Sequence, residues 1–150
     1  SLIMIMRFSQ TENEMTGQYN KEDVAATDKL LSNFANQFDS TREQWRMRIE
    51  KIKADGKKVA MFGAGHLASK FINFFNLSDL IDCVVDDHPK KLGMYMPGSC
   101  IPIVPSSELE RRGIKICIST LNPESEAKVR KKLNGYFSKG GEFLSAFVAK

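Results

Sequence analysis

The stretch that most limits what this chain can become is VAMFGAGHLASKF, residues 59–71. Four apolar residues, Val59 to Phe62, run directly into two glycines spaced G-x-G. Leu67, Phe71 and Phe74 then recur on one helical face. An apolar strand that turns sharply into a helix can present the helix N-terminus to a phosphate. Gly63 suits the tight turn, and Gly65 lets backbone approach a phosphate with no Cβ in the way. Ala68 is small enough for the helix to pack on a sheet, so G-x-G-x-x-A is satisfied. The amides of His66 and Leu67 are expected to point outward at the positive end of the helix dipole. Spacing alone leaves four occupants open: a redox dinucleotide, S-adenosylmethionine, a nucleotide-sugar, or none, with the glycines serving only the turn.

The elements around this loop set its context. SLIMIMRF at the start reads as a β-strand, and SQTENEMTGQYN as a linker. From Lys21 to about Ala54 the pattern is helical, with Phe34, Phe38, Trp45, Ile49 and Ile52 on one stripe. Asp39, Ser40 and Thr41 are competent N-caps, so DSTRE is expected to divide this segment into two helices. Beyond Gly56, strands are predicted at 58–62, 81–85, 114–120 and 141–147, with a short extended piece at 100–104. Helices are predicted at 66–76, after Ser106 or Ser107, and after Asn122, with Pro123 in a first turn. Alternating strands and helices with short connections predict an α/β fold, a doubly wound and mostly parallel sheet. The expected division is a stray strand and linker over 1–19, a helical segment over 20–56 and the α/β domain over 57–150.

A second mark of a ligand site is an acid at the end of the next strand. Asp86 is placed where a carboxylate accepts hydrogen bonds from a ribose diol. Asp87 and His88 follow it at the expected rim, and Thr120 and Asn122 follow a central strand into the same crevice. Neither His66 nor His88 has a nucleophilic partner visible in sequence, so no catalytic residue is assigned. Asp86 and Asp87 are adjacent on a strand end and point in opposite directions, which argues against a metal pair.

Composition narrows the partners. A net charge of +4 is mild, and the one dense basic run, KVRKK at 128–132, has no interleaved aromatics, which argues against a nucleic-acid surface. Cys83, Cys100 and Cys117 are odd in number and form no C-x-x-C pair. They read as buried thiols in a reducing cytoplasm rather than disulfides or zinc ligands. No apolar run approaches the roughly 20 residues a membrane helix needs.

The run VVDDHPKKLGMYMPGSCIPIVPSSEL, residues 84–109, is more distinctive than the glycine loop. It resembles the C-terminal domain of sugar C-methyltransferases, which methylate keto-deoxysugars carried on a nucleoside diphosphate. The family's K-x-G-x-x-x-P-G-x-x-I-P-I segment falls on Lys91, Gly93, Pro97, Gly98, Ile101, Pro102 and Ile103. Its G-x-G turn falls on Gly63 and Gly65, and its strand-end acid on Asp86. The resemblance covers residues 20–147 and implies a Rossmann-like domain. One departure is local: the family's G-Y-G-A-x-A-K-G is here G-A-G-H-L-A-S-K, with the lysine one place later at Lys70.

The resemblance further implies a domain that holds the nucleotide-sugar and closes against a preceding methyltransferase domain, with SLIMIMRF the last strand of that domain. The whole enzyme would use S-adenosylmethionine, whose binding residues have no counterpart here, so this chain alone is expected to bind no cofactor and transfer no methyl group. Gly63, Ala64, Gly65, His66 and Leu67 are expected at the ligand, with Lys70 as a phosphate contact and Asp86 as the hydroxyl acceptor. The stray strand is expected to be misplaced, swapped or engaged in a homodimer. The alternative, from another class, is a free-standing NAD(P)-binding domain of an oxidoreductase or epimerase-like protein, with Asp86 favouring NAD.

Overall fold

The computed structural model describes residues 21–147. The expectations for SLIMIMRF and its linker therefore lie outside the described residues. Two compact units divide at Asn36 and Gln37. The described part of the first is the N-terminal half of a 34-residue helix, α1 (Lys21–Ala54), which exposes Val24, Leu30 and Leu31.

α1 is continuous where the sequence predicts a break. The reason lies in how two of the three cap candidates, Ser40 and Asp39, are used. Ser40 Oγ donates back to the Gln37 carbonyl at 3.0 Å, three residues earlier, and Asp39 pairs with Arg42 at 3.2 Å. A side chain that bonds back along the helix, or pairs one turn ahead on its surface, is satisfied without opening a new N-terminus. The predicted apolar stripe is buried only in its later part: Trp45 and Ile49 are buried, Phe38 is half-buried, and Phe34 is exposed.

The second unit, Gln37–Lys150, contains a five-stranded parallel sheet. Its strands are β1 (Lys58–Phe62), β2 (Cys83–Val85), β3 (Ile103–Val104), β4 (Ile114–Ser119) and β5 (Glu142–Ser145), in the order β3-β2-β1-β4-β5. The connecting helices are α2 (His66–Phe74), α3 (Glu108–Arg111), α4 (Pro123–Lys132) and α5 (Asn134–Ser138). β2 is shorter than expected, and the extended piece at 100–104 contributes only the two residues of β3, with Cys100 before it at a φ of 55°.

The strands are apolar on both faces because both are covered, as parallel sheets require. Alternation along β1 sends Val59 and Met61 to one core and Ala60 and Phe62 to the other. The first core is closed by Trp45 and Ile49 of α1 and by Ala68 and Ile72 of α2. Leu109 and Tyr136 close the second, with Val129 and Leu133 packed against it. Ala68 is fully buried, as its place in the glycine motif predicts. Cys83 and Cys117 are buried in the second core; burial pushes their thiols up to about 11 and about 12 respectively. Cys100 is exposed, contrary to the expectation of a third buried thiol. Among the described residues, no helix is long and apolar enough to cross a membrane.

Candidate functional site

The strand order reverses direction at β1. The chain proceeds to β2 and β3 on one side, then returns to β4 on the other. In an open parallel sheet, the crevice beyond the carboxyl ends of the strands at such a reversal is where ligands bind. A cleft of about 200 Å³ lies there. The glycine loop contributes Gly63, Gly65, His66 and Leu67, β2 contributes Asp86, and Thr120 and Leu121 form the side beyond β4. Lys91 completes the lining.

The loop is held from three directions. Gly63 N donates to the Val85 carbonyl at 2.8 Å, and Gly65 N donates to the Gly63 carbonyl at 2.9 Å. Thr120 donates its amide to the Phe62 carbonyl at 3.2 Å. Its buried hydroxyl reaches the same oxygen at 3.0 Å and the Gly63 carbonyl at 3.3 Å. Gly63 has φ of +99°, and a Cβ there would meet Thr120 Oγ1 and Leu121 Cδ2 at 3.1 Å. Turn and close approach both demand glycine at this position. Gly65 differs: its φ of −110° is ordinary, and a Cβ would meet nothing within 4 Å. The protein's own packing therefore does not require a glycine there, although glycine suits the N-cap position that Gly65 occupies. α2 starts at His66 with no side-chain cap, leaving its first-turn amides facing the cleft end of the helix.

Asp86 is the hub. Its Oδ2 accepts from Ala64 N at 2.9 Å and from Lys91 Nζ at 2.8 Å, and its Oδ1 accepts from His88 N at 2.9 Å. Burial pushes this carboxyl up, but the Lys91 ammonium and the two amides outweigh it and leave it below the usual carboxylate value. Asp86 therefore binds its own chain as well as lining the cleft.

Two cleft residues are absent from the sequence-based site: Leu121, an apolar neighbour of Thr120, and Lys91, although Lys91 opens the K-x-G-x-x-x-P-G segment. The structure explains that segment as a strapped hairpin. Ile103 N donates to the Met94 carbonyl at 2.8 Å and Met96 N to the Ile101 carbonyl at 2.8 Å, with Tyr95 bridged to Pro102. The Pro97 carbonyl accepts from Asn73 Nδ2 of α2 at 2.9 Å. Gly98, with φ of +83°, lies so close to Asn73 that a Cβ would meet its side chain at 2.7 Å. Pro-Gly thus docks the hairpin on α2, while the start of the same segment delivers Lys91 to Asp86.

Other expected site residues lie elsewhere. Asp87 points away from Asp86, as neighbours at a strand end do. It accepts from Ser106 N at 2.7 Å, Ser106 Oγ at 2.8 Å and Lys132 Nζ at 2.6 Å, tying β2 to the start of α3 and the end of α4. His88 is exposed, and its Nδ1 accepts from Lys90 N at 3.3 Å. Asn122 caps α4 by accepting from Ser125 N at 2.8 Å. Lys70 is exposed on α2, and Ala64 reaches the site through its amide on Asp86. Lys70, Asp87, His88 and Asn122 are not part of the cleft lining. Among the described residues, no group of three or more His, Cys, Asp or Glu is arranged to hold a metal ion.

A family model described as the C-methyltransferase C-terminal domain matches residues 4–147. The chain belongs to that family. A search of curated proteins gave no match. Among solved structures, this C-methyltransferase C-terminal domain is similar to UDP-D-quinovosamine 4-dehydrogenase from Vibrio fischeri. The identity is 18% and the TM-score 0.47, over 59% of this chain and 76% of that one.

Proposed function

We propose that this domain holds the nucleotide-linked sugar substrate of an S-adenosylmethionine-dependent C-methyltransferase, and that its cleft takes the substrate's diphosphate. The observation that carries the reading is the uncapped start of α2 facing a cleft at the sheet's reversal point, with Lys91 on its wall. The amides of His66 and Leu67 would donate to phosphate oxygens, and Gly65 would let them approach. Lys91 supplies the compensating cation, and Thr120 keeps the turn in shape. Asp86 Oδ1, with one amide already bound, retains room for a ribose or sugar hydroxyl.

The same charges suit S-adenosylmethionine poorly. Its sulfonium is cationic, whereas this cleft pairs its one carboxylate with Lys91 and adds the positive end of a helix. The methyl donor and the chemistry of its transfer are assigned to a separate catalytic domain of the whole enzyme. The residues here bind and orient.

Calorimetric titration of this chain with UDP, dTDP, NAD and S-adenosylmethionine in parallel tests the reading. Selective binding of a nucleoside diphosphate, weakened by Lys91→Ala, is the expected result. Preferential binding of NAD would overturn it in favour of a dinucleotide module. Binding of none of the four would reduce the glycine loop to scaffold.

A further inference from the structure

The carboxyl end of the sheet carries a second, larger hollow. Its volume is about 550 Å³, against about 200 Å³ for the cleft at the glycine loop. Leu121 lines both, so the two adjoin across one side chain. Pro123 and Ala127 of α4 and Phe147 beyond β5 form apolar walls, while Glu126 and Arg130 supply the charge.

Those two charges are unusually well held. The Arg130 guanidinium lies 5.1 Å from the Phe137 ring centroid and 5.2 Å from that of Phe143. Its Nε and one terminal nitrogen both approach Glu126 Oε1 at 2.9 Å. Two aromatic faces and an ion pair therefore fix the guanidinium plane. The pair uses one carboxylate oxygen and part of the guanidinium fork. An acceptor, Glu126 Oε2, is left beside further N–H donors.

We infer that this second hollow is the base pocket of a nucleoside diphosphate whose phosphates occupy the glycine-loop cleft; the inference rests on the function proposed above. Size is the first reason. Small-molecule sites occupy about 300–1,000 Å³, so the smaller cleft is too small for a whole nucleotide, while the larger falls within that range. Chemistry is the second. A nucleobase has apolar faces and an edge where donor and acceptor alternate, matching apolar walls with an acceptor beside donors. A hexose ring, with hydroxyls around its circumference, would find only Ser145, Glu126 and Arg130 as side-chain polar partners and would set its other hydroxyls against Pro123, Ala127 and Phe147.

The test compares inorganic pyrophosphate with UDP and dTDP by calorimetry on the intact chain and two variants. Ala127 is exposed on α4, so Ala127→Trp adds bulk to the hollow without entering either core. Glu126→Ala removes the acceptor by a different route. For the unmodified chain, UDP or dTDP is expected to bind at least about tenfold more tightly than pyrophosphate. Each variant should erase most of that preference while leaving pyrophosphate affinity within about twofold. Equal affinity for pyrophosphate and both nucleotides, or a preference that survives both substitutions, would overturn the base pocket and leave the diphosphate site standing. Binding of neither pyrophosphate nor nucleotide would overturn the proposed function and this inference together.

Discussion

Two glycine-bearing turns meet near α2, and they use glycine for opposite reasons. At Pro97–Gly98 the missing Cβ is filled by protein: Asn73 occupies the space, and the backbone has φ of +83°. At Gly65 the space is empty and the backbone is ordinary. The first turn is bound up with stability and, in the function proposed above, the second with access. The more distinctive stretch of sequence therefore builds the scaffold, and the plainer one lines the cleft. Asp86 links the two, holding Ala64 N of the glycine loop and Lys91 of the hairpin with a single oxygen.

That contrast can be broken at several points. The largest effect is expected from Asp86→Ala, which strips a partner from two amides and an ammonium. A loss of about 3 kcal/mol in denaturant unfolding, with no measurable nucleotide binding, is the expected result. Gly98→Ala should cost about 2 kcal/mol from the left-handed backbone and the displaced Asn73. Any loss of affinity in that variant should be smaller than its loss of stability. Lys91→Met should reverse the balance, changing stability by less than about 1 kcal/mol while weakening pyrophosphate binding by about tenfold. Gly65→Ala sharpens the comparison most, because it should leave unfolding within about 0.5 kcal/mol and still weaken the nucleotide. A Gly65→Ala variant that unfolds early would show that the protein itself needs this glycine.

Acid titration probes the hub separately. Asp86 has a folded-state value below its unfolded one, so its stabilisation is complete above the unfolded value of about 3.9. It is lost as pH falls through the folded value. Asp87 is lowered as well, by Lys132 and Ser106 against the opposing effect of burial. Asp86→Asn should therefore flatten, without abolishing, the fall in melting temperature below about pH 4.

Much of the fold was readable because periodicity and turn chemistry agree along the chain. β1 follows from an apolar run between Gly56 and Gly63, α2 and β4 begin directly after Gly65 and Gly113, and Asn122 with Pro123 starts α4 as its residue types require. What sequence could not reveal depends on partners distant in the chain. Asp39, Ser40 and Thr41 are cap residues by type, yet the helix runs on through them because Ser40 bonds backward. Asp87 resembles Asp86 until Ser106 and Lys132 are seen to claim it. Lys91 was visible as part of a motif, but its arrival at the cleft depends on the hairpin fold, which no local pattern encodes.

The parallel sheet also dictates when this site can exist. β1 sits at the centre, and its register pairs Ala60 with Cys83 but Lys58 with Ile114, far later in the chain. Contacts of such long sequence separation form slowly, because a large loop must close before they contribute. The cleft is walled on one side by the turn after β1 and on the other by residues following β4, so no folding intermediate that lacks this distant pairing can assemble it. A ligand of the cleft would recognise only the closed sheet, and its concentration alone would draw late intermediates toward the native state.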